Sequence, residues 1–214
     1  MTKEEALSRR LAKVLRHTAA SHQITLREDG FVPIQTLLDH RLFRGDTMED
    51  IEAVVAADAK QRYAIREEAP LSDPSSTTRV KWIRANQGHS VKVEVELTPV
   101  TDPQQTVIHG TTMQAWSIIE KEGLSRMKRQ HIHFAAGLPS DDQVISGMRS
   151  SSSVLIWIDV AKSMADGLSF YRSANGVILS PGNADGIIAP CYFARHEIRD
   201  RSTRRKQQNP SKRS

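Results

Sequence analysis

The sequence predicts an α+β protein in two lobes, with helices concentrated in the first and short strands in the second. Three observations carry this expectation. Apolar residues recur at helical spacing in three segments before Lys60. At Val91 the period changes to alternation, Val91, Val93, Val95 and Leu97 interleaving with Lys92, Glu94 and Glu96. Beyond Thr106 short apolar runs dominate and only one stretch keeps the helical period.

In chain order, Thr2 followed by Glu5 has the form of a capping box, and Leu7, Leu11, Val14, Leu15 and Thr18 share one face, predicting a helix over residues 3–19 with Arg16 and His17 in its last turn. Asp29-Gly30 marks a turn before Phe31-Val32, and Pro33 can open a second helix carrying Ile34, Leu37 and Leu38. A third helix is predicted over Met48 to Ala59, capped by Thr47, with Ile51, Val54 and Val55 inward. Arg62 to Ile65 and Val80 to Ile83 read as strands around the polar loop Ser72 to Thr78. Three helices followed by a two-stranded ribbon is the order of a winged helix. In the second lobe, strands are expected at Val91 to Leu97, Thr106 to His109, His131 to Phe134, Val154 to Asp159, Gly176 to Leu179 and Gly186 to Ile188, with a helix from Thr112 to Lys121. The expected division is 1–92, 93–198 and a basic tail, 199–214.

Most of the net charge of +5 sits in that tail: seven Lys or Arg residues against one Asp between Arg199 and Ser214 leave the rest close to neutral. With almost no apolar residues it reads as a disordered arm, either simply solvated or weakly attracted to phosphate backbones. A specific anion site must therefore be a local cluster in the body. The longest apolar run, Val154 to Ile158, is far too short to span a bilayer, and the charged opening segment does not resemble a secretory leader. A soluble intracellular monomer, cytoplasmic or nuclear, is expected. The single cysteine, Cys191, excludes an intrachain disulfide and a Cys-based metal site.

Several segments carry more polar chemistry than a scaffold needs. Arg16-His17 places a cation beside an imidazole. Ile83 to Ser90 packs Arg84, Asn86, Gln87, His89 and a hydroxyl around Gly88, which a polar interdomain loop would also explain. His109-Gly110-Thr111 sets an imidazole at a strand end, then a residue that lets a ligand approach the backbone. Arg126, Lys128 and Arg129 directly precede His131 and His133, which share one strand face but have no thiol or carboxylate beside them, so no metal is expected.

Together these segments resemble the RNA 2′-phosphotransferases that repair spliced tRNA. The matching runs are Leu15 to His17, Lys60 to Tyr63, Ile83 to Ser90, His109 to Thr111, Arg129 to Phe134, Ile145 to Arg149 and Tyr171 to Leu179, in the family's order over residues 7 to about 195. Tyr63 stands where the family more often has Phe. The resemblance implies an N-terminal winged-helix RNA lobe and a C-terminal lobe of the ADP-ribosyltransferase fold, with the active site between them. It also implies two steps with NAD consumed as co-substrate, through RNA-2′-phospho-ADP-ribose, to 2′-OH RNA, nicotinamide and ADP-ribose 1″,2″-cyclic phosphate.

Carried over by position, the family's catalytic quartet falls on Arg16, His17, Arg62 and Arg129. Arginines stay charged at any working pH and hold phosphate oxygens bidentately, whereas histidine can move a proton near neutrality. His109, Gly110, Thr111, His133, Arg149, Ser173, Asn175, Gly176 and Val177 are implied neighbours of the dinucleotide, and Lys60, Arg84, Asn86, Gln87 and His89 of the RNA. Gly176-Val177-Ile178-Leu179 lacks the glutamate that many transferases of that fold carry, which fits a phosphate nucleophile that needs no general base. The alternatives are an ADP-ribosyltransferase that caps phosphorylated RNA or DNA ends, and an RNA-binding module without activity, which would not need Arg129 or the His-Gly-Thr run.

Overall fold

The computed structural model describes residues 2–70, 72–138, 148–149 and 151–199. Ile145 to Gly147 of one expected run, and the tail beyond Asp200, lie outside the described residues. Helices and antiparallel sheets mix in an α+β arrangement, and the chain divides into two compact units, Met1–Glu96 and Leu97–Ser214.

Unit one opens with α1 (Lys3–Lys13), entered through a capping box in which Thr2 Oγ1 accepts from the Glu5 amide and the Glu5 carboxylate accepts from the Thr2 amide, each at 3.1 Å. A cap of this kind stabilises a helix by ~1 kcal/mol. The α-helix does not reach residue 19. It ends at Lys13, and Val14–Thr18 form a π turn followed by a 3-10 turn, Ala20–His22. The Arg16 carbonyl in this turn accepts the Ser90 amide at 2.9 Å, which satisfies one of the carbonyls that a helix end leaves unpaired. Next come β1 (Val32–Pro33), α2 (Ile34–Leu38) and α3 (Met48–Ala56), the last capped by Thr47 and Asp50 in a second box. α3 stops short of Ala59 because Asp58 turns the chain, its carboxylate accepting the amides of Lys60 and Arg62. β2 (Tyr63–Glu68) and β3 (Val80–Ala85) then pair antiparallel, with β1 on the other side of β3. Leu7, Leu11, Leu15, Ile34, Leu37, Phe43, Ile51 and Ile83 close this core.

The alternating run Val91 to Leu97 forms no strand; only the short β4 (Thr98–Pro99) follows it. Val93 is buried while Glu94 and Glu96 are exposed, and the Glu94 amide donates to the Glu28 carbonyl. Alternation here records one buried side, which an extended segment can have without a ladder.

Unit two holds β5 (Ile108–Thr111), α4 (Met113–Glu122), β6 (Leu124–Ser125), β7 (Ile132–Phe134), β8 (Val154–Ile158), α5 (Val160–Ala165), β9 (Tyr171–Arg172), β10 (Ile178–Ser180), β11 (Ile187–Ile188) and β12 (Phe193–Ile198). One sheet runs β12-β8-β5 and another β4-β9-β10-β7, with β11 and β6 as a separate pair. Trp116, Phe134, Ile156, Phe170 and Ile178 lie in its core. β4, β6, β9, α5 and β12 were not expected from the sequence. Arg199, expected in the solvated tail, is buried, and its amide donates to the Ser153 carbonyl.

The two larger sheets meet at Ile108 and Ala135, whose amides and carbonyls exchange hydrogen bonds of 3.0 and 2.8 Å. One residue further along β5, His109 replaces the next ladder bond with its side chain, Nδ1–H donating to the His133 carbonyl at 2.9 Å. The sheets thus separate beyond Ile108 with an imidazole between their edges.

Candidate active site

In unit one the π turn and the Ile83 to Ser90 run hold Arg16 and His17. The Ser90 amide binds the Arg16 carbonyl, and Ser90 Oγ lies 3.0 Å from His17 Nδ1. Gly88 has a φ of +92°, and a Cβ there would lie 3.5 Å from Cδ, Nε and Cζ of Arg16, so the guanidinium end lies across a residue with no side chain. Arg62 is held from the other direction. Its Nε and Nη2 donate to Asp58 Oδ1 at 3.0 and 2.8 Å, and its amide donates to Oδ2 at 2.6 Å. Asn86 clips the same segment: its amide donates to the Arg62 carbonyl, and its Nδ2 donates to the carbonyls of Gln61 at 2.7 Å and Tyr63 at 3.3 Å. Gln61 adopts a left-handed φ of +45°, which turns the chain into β2.

Tyr63 joins the two cations. Burial pushes its phenol up, while the Ser8 hydrogen bond and the positive charges of Arg16 and Arg62 pull the other way. Both guanidinium groups are therefore electrostatic neighbours of one ring, and Tyr63 Oη anchors it by donating to the Ser8 carbonyl at 2.7 Å.

Unit two gathers a second group. Only Nδ1–H can donate to the carbonyl of His133, so His109 presents Nε2 as an acceptor. Burial holds this imidazole below its usual value and the Arg129 charge adds to that, the hydrogen bond partly opposing. It is neutral at neutral pH. Arg129 is itself lowered by burial and then by the charge of Arg149, so these two cations share a field. Neither forms an ion pair among the described residues. The Arg129 carbonyl accepts from Arg126 Nη1 at 2.9 Å, and Arg126 lies flat on Gly186, where a Cβ would come within 2.3 Å of its Nε.

Gly110 is required by packing: a Cβ would stand 2.3 Å from Met148 Cγ and 2.6 Å from Ser152 Oγ. The segment carrying the exposed Arg149 therefore lies directly over β5, tied there by the Ser153 amide on the Thr111 carbonyl. Ser173 to Val177 form the turn between β9 and β10, with Gly176 at φ +78° and its amide on the Ser173 carbonyl. Ser173 Oγ lies 2.8 Å from Asn175 Oδ1 and 3.1 Å from the Val177 carbonyl. His133 is half-buried in β7, paired with Leu179.

Of the residues expected to meet RNA, Lys60 is exposed, but Arg84, Asn86, Gln87 and His89 are only 4, 6, 8 and 2% exposed. Arg84 stacks 4.7 Å from the centroid of Phe31, which Arg27 and Arg66 also flank, and burial lowers its guanidinium. These four side chains are internal. The sequence reading gave no role to Asp58, nor to Ser90, Arg126 and Met148 within the runs it singled out. Asp58 has a sequence signal, an acid four residues before an arginine at a helix end; Ser90 and Met148 have none, because their partners are far along the chain.

Unit one thus groups arginines with a histidine, and unit two sets arginines and an imidazole beside backbone bared at glycine, residue types that bind phosphate groups in proteins. Comparison gives the family: the chain belongs to the RNA 2′-phosphotransferase, Tpt1 / KptA family, whose model matches residues 2–182. It is similar to tRNA 2′-phosphotransferase 1 of Danio rerio, 45% identical over 199 residues, which cover 91% of this chain and 85% of the relative. The human protein of the same name is 47% identical over 191 residues, 87% of this chain and 73% of the relative. The tRNA 2′-phosphotransferase of Saccharomyces cerevisiae is 37% identical over 185 residues, 81 and 77% of the two.

Proposed function

We propose that this protein is an NAD-dependent tRNA 2′-phosphotransferase that removes the internal 2′-phosphate left at a splice junction. The observation that carries the reading furthest is the pair of anchored cations in unit one, Arg16 over Gly88 and Arg62 clasped by Asp58, with His17 beside the first. The relatives' names supply tRNA as the substrate. In this reading Met1–Glu96 is the RNA lobe of winged-helix type, and the following unit is the NAD lobe of the ADP-ribosyltransferase fold.

The residues of unit two suit a dinucleotide. A pyrophosphate is anionic, and Arg129 and Arg149 offer positive charge with no carboxylate paired to them among the described residues. The neutral His109 can accept a ribose hydroxyl at Nε2 without adding charge. Gly110, Thr111, His133, Ser173, Asn175, Gly176 and Val177 would complete that cradle, the last four through the shape of their turn. When bound, NAD supplies an electrophilic ribose carbon with nicotinamide as leaving group.

A phosphomonoester carries about −1.5 to −2 charge at neutral pH and is already a nucleophile. In the first step its oxygen displaces nicotinamide, giving RNA-2′-phospho-ADP-ribose. Arg16, Arg62 and Arg129 hold the phosphate, and no general base is required. In the second step the ribose 2″-hydroxyl attacks phosphorus, releasing 2′-OH RNA and ADP-ribose 1″,2″-cyclic phosphate. The departing RNA oxygen needs a proton, which we assign to His17, while the arginines stabilise the equatorial oxygens. Lys60 is the exposed cation assigned to the RNA backbone. Arg84, Asn86, Gln87 and His89 support that surface from within.

The test is to incubate the protein with a 2′-phosphorylated oligonucleotide and NAD in excess chelator. Dephosphorylated RNA and one equivalent of nicotinamide are expected, since arginines can supply the charge neutralisation a divalent ion gives elsewhere. Stable ADP-ribosylated RNA as the only product would favour an end-capping transferase instead.

A further inference from the structure

We infer that Asp58 is the positioning residue of the phosphotransfer site: it fixes the Arg62 guanidinium so that its remaining N–H groups meet the substrate phosphate. The inference rests on the reading of Arg62 as a phosphate-binding cation.

A surface arginine seldom keeps one orientation, because its long side chain has large rotamer entropy and a surface ion pair gains little. Arg62 differs in each respect. The Asp58 carboxylate is only 3% exposed, and it binds the arginine at both ends of the side chain: Oδ1 accepts Nε and Nη2, and Oδ2 accepts the Arg62 backbone amide. Binding main chain and guanidinium with one carboxylate sets the side chain's direction as well as its tip. The main chain is then held independently by the two hydrogen bonds from Asn86 to Gln61 and Tyr63 and by its amide on the Arg62 carbonyl. The guanidinium edge made of Nε and Nη2 is occupied, so Nη1 is left to point away from the acid. A side-on clasp of this kind orders an arginine before the substrate arrives and lowers the entropy lost on binding.

Asp58→Asn separates this role from mere support. An amide has one acceptor oxygen, so it can serve the guanidinium or the backbone amide but not both. The experiment compares wild type, Asp58→Asn, Arg62→Ala and the double variant as full-length chains. Three quantities are read: single-turnover dephosphorylation of a short 2′-phosphorylated oligonucleotide, its affinity relative to the same oligonucleotide without the phosphate in the absence of NAD, and the melting temperature.

The expected result is that Asp58→Asn slows turnover about tenfold and weakens phosphate-dependent binding, with little change in affinity for the unphosphorylated strand. In the Arg62→Ala background the same substitution should change rate and affinity by less than about twofold, because it has nothing left to position. If Asp58→Asn costs a further tenfold or so without Arg62, its role is general support and the inference fails. Wild-type behaviour of Asp58→Asn also overturns it. Should the variant not fold, Asp58→Ser, which keeps an acceptor near the backbone amide but cannot clasp the guanidinium, carries the same expectations. The reading of Arg62 fails separately, if Arg62→Ala alone leaves both rate and phosphate-dependent affinity unchanged.

Discussion

At Ser90 a single hydroxyl and amide fasten two residues that stand more than seventy positions earlier in the chain, Arg16 through its carbonyl and His17 through Nδ1. Ser90 lay in a polar run that the sequence marked, but its partners did not show there; Arg16, His17, Arg62 and Arg129 were reached by their positions in the family's motifs, and Arg62 lies in no conspicuous polar run. Of the residues that the resemblance assigns to RNA, Arg84 and His89 are buried, which neither their polar type nor their place in the motif could show. If His17 protonates the departing RNA oxygen, His17→Ala should slow the second step by about 100- to 1000-fold and the first far less. RNA-2′-phospho-ADP-ribose would then accumulate on a gel; equal loss of nicotinamide release and dephosphorylation would remove His17 from that role. His109 yields a prediction about stability. Its folded-state value lies below the ordinary 6.5, so the unfolded chain binds the additional proton as pH falls through that value. The stability from this group is complete above about pH 6.5 and is lost below it. Melting temperature should fall between ~pH 7.5 and ~5.5, and less so in His109→Gln; the part that persists in the variant includes His131, which burial and Arg126 lower in the same direction.

Among the elements, those whose pattern comes from local burial were legible. α2, α3, α4, β2, β3 and β8 lie close to their predicted positions because helical spacing or a continuous apolar run marks a buried face. Those formed by distant pairing were not: β9 and β6 are two-residue strands defined by partners on β10 and β11. β12 follows the same logic, since its register on β8 is stated nowhere in its own polar sequence, Phe193 to Ile198. The turn at Gly88 is the element on which the first group depends. Its φ of +92° and the Arg16 side chain 3.5 Å beyond it mean that Gly88→Ala costs conformational strain rather than overlap. A penalty of ~1–3 kcal/mol is expected, seen as a lower melting temperature. The rate should fall by more than the folded fraction, because Ser90 and its two partners shift with the turn. Loss of stability with the rate per folded molecule unchanged would show that the turn does not position Arg16.

For the molecule as a whole, the structure divides into compact units at Glu96 and Leu97, while the texture of the sequence changes near Val91. The family match ends at residue 182, and none of the residues assigned to chemistry lies beyond it. Removing residues 201–214 should therefore leave single-turnover dephosphorylation of a short oligonucleotide within about twofold, while affinity for long RNA at low salt falls if the basic tail contributes counterion release. A tenfold loss at saturating short substrate would assign the tail to the site. The π turn at Val14–Thr18 has a consequence for the whole chain that its geometry alone does not announce. A π turn amounts to one surplus residue in an α-helix, and such turns are frequent at functional sites. Deleting Lys13 would let α1 run through regularly and so change the path of Val14–Thr18, the segment that carries Arg16 and His17 to Ser90. That shortened chain should fold and yet be nearly inactive, since Arg16 and His17 would leave Ser90. The wide turn thus works as an eyelet, holding one carbonyl open for a thread of chain that returns 74 positions later.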